Sequence, residues 1–133
     1  MFRRLDETIM VAAQIAPEDI AEAKRLGATM VINNRPEGEQ PGQPSGTEIA
    51  AAAQAAGLGY RAIPITPGGF SQHQVDAMRE ALDAAPGPVL AFCRSGTRST
   101  FVWALARLAK GDDPATLAEK ASAQGYDITP LLR

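Results

Sequence analysis

The sequence predicts a single α/β domain in three layers, with a mostly parallel central sheet of four to five strands between two layers of helices. Short apolar runs alternate along the chain with longer segments that carry helix-start signals, which is typical of βαβ units. The 133 residues contain no internal repeat and no linker long enough to separate two domains. Residues 1–133 are therefore interpreted as one domain with one core.

The composition excludes several classes of protein. Hydrophobic residues make up 45% and charged residues 21% of the chain, as in ordinary globular domains. The net charge of −2 gives no reason to expect a nucleic acid or a membrane surface as a partner. A single cysteine cannot form an intramolecular disulfide, and no secretory signal core or membrane-spanning apolar run is evident. We therefore expect a cytoplasmic protein, and no pattern in the sequence predicts a metal or a cofactor.

The individual elements follow from local signals. Runs rich in apolar and β-branched residues predict strands, while prolines and capping boxes predict helix starts. Ser45 with Glu48 and Ser71 with Gln74 form two such capping boxes, and Pro64 places the end of its strand at an edge or turn. In order, the predicted elements are a strand over residues 9–14, a helix over 17–27, a strand over 29–33, a helix over 45–57, a strand over 60–65, a helix over 71–84, a strand leading into residue 93, helices over 98–110 and 114–125, and a last turn over 126–133.

A proline- and glycine-rich segment over residues 33–44 separates the second predicted strand from the next helix. Its composition favours a surface loop, and the alternative interpretation is one wall of an active site. The alternative rests on topology, because the preceding strand is expected to lie beside the strand that ends at Cys93. Ligands of open α/β sheets bind outside the carboxyl ends of the strands. The candidate wall residues are Asn34, Arg35, Thr66 and His73.

The strongest chemical signal is the cysteine loop (residues 93–99), where a buried strand is followed by an amphipathic helix. Backbone N–H groups converge in such a turn and the helix N-terminus adds partial positive charge, so the loop is predicted to bind an anion. The same surroundings favour the thiolate form of Cys93. Gly96 permits a tight turn that brings the amides close to a ligand. Arg98 is the predicted oxyanion ligand, since its planar fork fits a tetrahedral oxyanion bidentately.

Each of these residues also has a purely structural interpretation. Unpaired cysteines are often simply buried, but Cys93 ends its strand and has arginines one and five positions after it. Arg94 is predicted either to line the mouth of the site or to be solvated. Ser95, Thr97 and Ser99 could donate hydroxyls to the anion or only cap the helix, with Ser99 as the predicted contact of the thiolate.

The sequence Cys-Arg-Ser-Gly-Thr-Arg-Ser at residues 93–99 resembles the active loop of single-domain rhodaneses, whose nucleophilic cysteine carries a persulfide. The order and spacing of the surrounding strands resemble those of dual-specificity phosphatases. Together with the segments at 33–44 and 65–68, these features resemble the phosphatase-like, or sulfur-transferase, family of β-lactamase hydrolase-like proteins. The resemblance covers about residues 5–126 and implies a dual-specificity-phosphatase-like scaffold. Members of that family are often fused to a metallo-β-lactamase-like domain.

Three departures from the phosphatase pattern bear on the chemistry. Phe92 stands where those enzymes have a histidine, and four residues instead of five separate Cys93 from Arg98. Residues 65–75 contain no carboxylate, although the resemblance implies an aspartate general acid after the middle strand. His73 is the candidate substitute, but a histidine in the first turn of a helix is more often on the surface.

These features predict a cysteine-dependent enzyme, with three ranked functions that all involve a small anion. Sulfur transfer through a Cys93 persulfide comes first, because a donor such as thiosulfate or a persulfide has a stable leaving group and the short loop suits a terminal sulfur. It implies an external thiol acceptor, since the chain has no second cysteine. Hydrolysis of a phosphomonoester through a phosphocysteine is the alternative. A non-catalytic anion-sensing or partner-docking domain is third.

Overall fold

The structure is a computed structural model that describes residues 1–132, and it confirms the predicted fold class. The strands are β1 (Arg3–Asp6), β2 (Ile9–Ala12), β3 (Met30–Asn33), β4 (Gly59–Ala62) and β5 (Val89–Phe92); the helices are α1 (Ile20–Arg25), α2 (Gly46–Ala55), α3 (Gln72–Ala84), α4 (Thr97–Ala109) and α5 (Pro114–Ala123). The strands form one sheet in the order β1-β2-β5-β3-β4. β1 pairs with β2 in the antiparallel sense, and the other pairs are parallel.

Helices cover both faces of the sheet and bury two separate cores. α1 and α2 pack on one face, where Ile20 and Ile49 are buried against the strands. α3, α4 and α5 pack on the other face, around Met78, Trp103 and Leu117. β5 lies between β2 and β3, and all of its side chains are buried. A parallel strand that is covered on both faces must be apolar throughout, which explains the Val-Leu-Ala-Phe run of β5.

The first strand is the main element that the sequence did not predict. β1 has the sequence Arg-Arg-Leu-Asp, and its two exposed arginines carry no strand signal. The hairpin to β2 is fixed by Asp6, whose Oδ1 accepts from the Thr8 N–H at 2.8 Å and from the Thr8 hydroxyl at 2.6 Å. The other Asp6 oxygen pairs with Arg107 at 2.9 Å and with Lys120 at 3.2 Å. Side-chain pairing with distant helices therefore supports a strand that has little apolar pattern.

The remaining elements are confirmed, most of them with shorter bounds, and two local corrections are needed. The first helix begins as a 3₁₀ turn over Pro17–Asp19 before α1 starts. The capping box of Ser71 and Gln74 is present in both directions. At the start of α2, the Ser45 hydroxyl accepts from the Glu48 N–H at 3.1 Å. The Glu48 carboxylate makes no return bond within the described residues, so this capping box is only half formed.

The described chain ends in a 3₁₀ turn over Thr129–Leu132. The predicted last turn extends to residue 133, which lies outside the described residues. No helix in residues 1–132 is long and apolar enough to cross a bilayer. No cluster of three or more His, Cys, Asp or Glu side chains in the same range is placed to hold a metal ion.

The topology brings two loops together at one edge of the sheet. β3 and β5 are parallel neighbours, so their carboxyl ends lie side by side. The β3–α2 loop (residues 34–45) follows one of these ends and the cysteine loop follows the other. The Asn34 N–H donates to the Phe92 carbonyl at 2.8 Å and continues the ladder into the loops. The strand before the proline-rich segment therefore lies beside the strand that ends at Cys93, as predicted.

Candidate active site

Cys93 is the first residue after β5 and is fully buried. Its sulfur accepts a hydrogen bond from the Gly96 N–H, with 3.1 Å between Sγ and the nitrogen. Gly96 has a φ of +92°, a left-handed conformation that favours glycine. The Tyr126 hydroxyl packs so closely on Gly96 that a Cβ there would overlap it, and this hydroxyl donates to the Ser95 carbonyl at 3.3 Å. The loop therefore wraps around the sulfur with no space for a side chain at its turn.

The cysteine loop continues directly into α4, which begins at Thr97. The N–H groups in the first turn of a helix have no intrahelical acceptor. The Ser95 hydroxyl donates to Thr97 Oγ1 at 3.0 Å and accepts from the Thr97 N–H at 3.4 Å, while the N-cap residue itself is Gly96, which has no side chain to cap the helix. The Thr100 hydroxyl donates back to the Gly96 carbonyl at 2.8 Å. The positive end of a 13-residue helix therefore lies next to the loop that holds Cys93.

Arg98 lies in the first turn of α4, and its guanidinium is tied to two other segments. Nη1 donates to Glu39 Oε2 at 2.8 Å and to the Ile65 carbonyl at 2.7 Å, and Nη2 donates to Glu39 Oε1 at 2.8 Å. Hydrogen bonding to Glu39 is the main cause that raises the pKa of Arg98 above its ordinary value. Burial opposes this shift, and the charge of the nearby Cys93 sulfur adds to it. Arg98 therefore interacts with both the carboxylate and the cysteine.

Glu39 belongs to an ion-pair network that the β3–α2 loop brings to Arg98. Its Oε1 also accepts from Arg35 Nε at 2.9 Å, so both carboxylate oxygens bind arginine. Hydrogen bonding to Arg98, supported by Arg35, lowers the pKa of Glu39 to about 2, although partial burial opposes the shift. Arg35 is only 4% exposed, and its Nη1 and Nη2 donate to the side-chain carbonyls of Gln14 and Gln40, each at 3.0 Å. The carboxylate is therefore held on two sides.

Asn34 is a buried connector between the two loops. Its Oδ1 accepts from the Ser99 hydroxyl at 2.8 Å, and its Nδ2 donates to the Ile63 carbonyl at 3.0 Å. Ser99 is itself fully buried, and its proton is committed to Asn34. The structure thus corrects the prediction that Ser99 contacts the thiolate, because Ser99 packs against the β3–α2 loop and the contact to Cys93 comes from the Gly96 N–H.

Three candidate residues lie apart from this network. Arg94 is exposed, and within residues 1–132 its guanidinium has no hydrogen-bond or ion-pair partner. Thr66 is exposed in the segment after β4. His73 lines a separate cavity of about 300 Å³ with residues of α3 and of the segment around Pro64, and no residue of the cysteine loop lines that cavity. The structure therefore does not place His73 as a proton donor beside Cys93.

Sequence reasoning did not predict the contacts of Gln14, Glu39 and Tyr126 with the site. Each comes from a part of the chain that is distant from residues 93–99. Glu39 lies in the segment over residues 33–44 that was interpreted as a possible site wall, but no pattern marks it as the partner of Arg98. The one available signal was the lack of a carboxylate in residues 65–75. It indicates that any acidic partner of Arg98 must come from another loop.

The fold and the site define a class of protein. A buried cysteine follows the central strand of a mostly parallel sheet, and the next helix supplies an arginine that interacts with it. Phosphatase-like α/β domains are built in this way. Residues 1–110 match the family described as beta-lactamase hydrolase-like protein, phosphatase-like domain, and the chain belongs to this family.

Individual relatives agree with this assignment. A beta-lactamase hydrolase-like protein of Agrobacterium fabrum is 30% identical over 131 residues, which are 98% of this chain but only 30% of that protein. A provisionally assigned phosphatase of Neisseria meningitidis Z2491 has a TM-score of 0.84 and 31% identity, over 97% of this chain and 92% of that one. P. aeruginosa TpbA in complex with phosphotyrosine shares the fold, with a TM-score of 0.64 and 21% identity, over 98% and 86% of the two chains. These likenesses support a cysteine-dependent phosphatase-like enzyme and do not support sulfur transfer.

Proposed function

We propose that this domain hydrolyses phosphomonoesters through a covalent phosphocysteine at Cys93. The observation that carries the proposal is geometric: the Gly96 N–H donates to the buried Cys93 sulfur at 3.1 Å directly before α4, and Arg98 lies in the first turn of that helix. A phosphoryl group needs donors for several charged oxygens, and a guanidinium together with helix N-terminal amides can supply them. The phosphotyrosine bound to TpbA is a small anion of this kind and supports the same substrate class.

The proposed reaction has two steps. In the first, the Cys93 thiolate attacks phosphorus, so that an S–P bond forms while the P–O bond to the leaving group breaks. The electron pair of that bond stays on the leaving oxygen, which takes a proton from solvent water. In the second, water attacks the phosphocysteine, the S–P electrons return to sulfur, and inorganic phosphate departs. Arg98 and the first-turn amides of α4 stabilise the charge on the equatorial oxygens in both steps.

The surroundings of the sulfur fit this cycle. The Gly96 N–H lies 3.1 Å from Sγ and can donate to the sulfur before attack and again after release of phosphate. Cys93 has no exposed surface in this state, whereas 16% of the Arg98 side chain is exposed. The phosphoryl group is therefore proposed to approach over Arg98, where it replaces solvent on the guanidinium.

Sulfur transfer ranked first on sequence alone, and the relatives reverse that ranking. The argument for it rested on the short spacing from Cys93 to Arg98 and on the missing carboxylate in residues 65–75. The relatives described above are phosphatase-like, and they do not support thiosulfate as a donor or an external thiol as an acceptor. The phosphatase alternative is therefore the function that we propose. A cytoplasmic location stays a prediction.

A paired assay tests the proposal. The purified protein is incubated with p-nitrophenyl phosphate, and separately with thiosulfate and a thiol acceptor. We expect release of nitrophenol in the first assay, no turnover in the second, and loss of the phosphatase activity in Cys93→Ser. Turnover of thiosulfate without phosphate release would restore sulfur transfer. No turnover in either assay, together with phosphate binding by calorimetry, would favour the non-catalytic binding domain.

A further inference from the structure

Arg98 uses only part of its hydrogen-bonding capacity on the protein. A guanidinium carries five N–H donors in one plane. Both Nη1 donors and one Nη2 donor are used by Glu39 and Ile65. The donors that are left, Nε–H and the second Nη2–H, lie on the same edge of the plane, and such an edge binds two oxygens of a phosphate bidentately. Arg98 and Cys93 are the two ends of one short segment, the cysteine loop with the first turn of α4, so this edge belongs to the same site as the sulfur.

The Glu39 carboxylate is held in place by two arginines. Its two oxygens accept three arginine N–H groups, at 2.8, 2.8 and 2.9 Å. The Arg35 side chain that contributes one of them is 3% exposed and is itself held by Gln14 and Gln40. A proton on Glu39 would break at least one of these charge-assisted bonds, and the low pKa of this carboxyl, about 2, agrees with that cost. The carboxylate is thus arranged to stay charged and to hold Arg98.

We infer that Glu39 is a positioning residue, which turns Arg98 so that its Nε–Nη2 edge meets the phosphoryl oxygens, and that it is not the proton donor to the leaving group. The inference rests on the proposed phosphatase function and specifies its substrate class. A weakly basic leaving group, such as a phenol or another phosphate, departs without protonation. An alkyl alcohol needs a general acid, which is worth roughly 10² to 10⁴ in rate. The domain is therefore specific for phosphoryl groups on weakly basic leaving oxygens.

Two other roles for Glu39 lead to different expectations. As a general acid, Glu39 would matter most for poor leaving groups and little for good ones. If Glu39 instead competed with the substrate for Arg98, as an internal competitor, replacing it would strengthen the binding of phosphate. A positioning role predicts an equal loss for all leaving groups, because Arg98 contacts the phosphoryl oxygens and not the departing group.

The experiment compares Glu39→Gln with Glu37→Gln, which changes an exposed glutamate of the same loop that accepts from the Gly46 N–H and has no hydrogen bond to Arg98 within residues 1–132. For a series of aryl phosphates with phenols of different basicity, kcat/KM is measured together with competitive inhibition by inorganic phosphate. We expect Glu39→Gln to lower kcat/KM about tenfold to a hundredfold, the loss that is typical when the hydrogen-bonded partner that orients a metal-binding side chain is removed. This loss of kcat/KM should be the same for every aryl phosphate of the series, and inhibition of Glu39→Gln by phosphate should be weaker. Glu37→Gln should have the kcat/KM of the unmodified protein.

Three other kinetic results count against the inference. If the loss of kcat/KM in Glu39→Gln grows with phenol basicity, Glu39 is a general acid. If Glu39→Gln binds phosphate more tightly, Glu39 is an internal competitor for Arg98. If the kinetics of Glu39→Gln are unchanged, Glu39 does not position Arg98. If Glu39→Gln does not fold, the series of aryl phosphates is measured with the unmodified enzyme alone. Without a proton donor, kcat/KM should fall steeply as the basicity of the phenol rises. A kcat/KM that does not change along the series would reveal a proton donor and contradict the inference. If no phosphate ester is hydrolysed at all, calorimetry with inorganic phosphate separates the two claims. Weaker binding in Glu39→Gln would then leave the positioning of Arg98 intact while the proposed function fails.

Discussion

The cysteine loop and the β3–α2 loop meet at one site but are held in place in different ways. In the cysteine loop the contacts are local, since the Gly96 N–H reaches the Cys93 sulfur three positions back. In the β3–α2 loop they are long-range, because Glu39 binds Arg98 across 59 positions and Asn34 binds Ser99 across 65. A short stretch of sequence therefore shapes the surroundings of the sulfur, whereas the whole fold is needed to orient the arginine beside it.

Arg98→Lys is expected to have the largest effect, because Arg98 is the group on which both loops act. A lysine ammonium can pair with Glu39 but cannot also present a planar edge to a phosphoryl group. We expect kcat/KM for an aryl phosphate to fall about 10² to 10³-fold, the usual cost of removing one donor to a transition-state oxyanion. Steady-state kinetics measure this, with the exposed Arg79→Lys of α3 as the control. A loss of kcat/KM below tenfold would show that the site does not depend on the planar guanidinium of Arg98.

Asn34→Ala separates the two loops without touching the sulfur or the guanidinium. It leaves the buried Ser99 hydroxyl and the Ile63 carbonyl without their partner, which should cost about 1–3 kcal/mol in free energy of unfolding. Urea denaturation measures the loss. Ser99→Ala and the double variant complete a cycle, in which a coupling between the two side chains is expected. Strict additivity would mean that Asn34 does not join the loops.

The ion-pair network of the β3–α2 loop predicts a smaller, pH-dependent effect. The pKa of Glu39 lies at about 2 in the folded protein, below its ordinary value of 4.5. Its stabilising contribution is therefore fully present above pH 4.5 and is lost as the pH falls toward 2. Free energies of unfolding across this window should fall less for Glu39→Gln than for the unmodified protein. Glu48→Gln, at an exposed residue of α2, is the control and should keep the original slope; equal slopes for all three proteins would contradict the assignment.

These contrasts explain which features the sequence could predict. The strand that ends at Cys93, the glycine turn and the start of α4 are all encoded within a dozen neighbouring residues, so local rules suffice for them. For the loop after β3 a site wall was the alternative to a surface loop, and it rested on the expected parallel neighbourhood of the two strands, which the structure shows. The partner of Arg98 was not predicted, since Glu37 and Glu39 are equivalent in sequence and only the folded loop distinguishes them. Strand β1 was not predicted for the same reason, because the pairing of Asp6 with Arg107 is a tertiary contact.

The central claim is that Cys93 and Arg98 carry out phosphoryl transfer, and trapping the covalent intermediate tests it most directly. The protein is mixed with an aryl phosphate, quenched in acid during turnover, digested and examined by mass spectrometry. We predict that the peptide containing Cys93 gains one phosphoryl group, that Cys93→Ser gains none, and that Arg98→Lys accumulates much less. A Cys93 peptide that gains sulfur from thiosulfate and never gains phosphate would contradict the account.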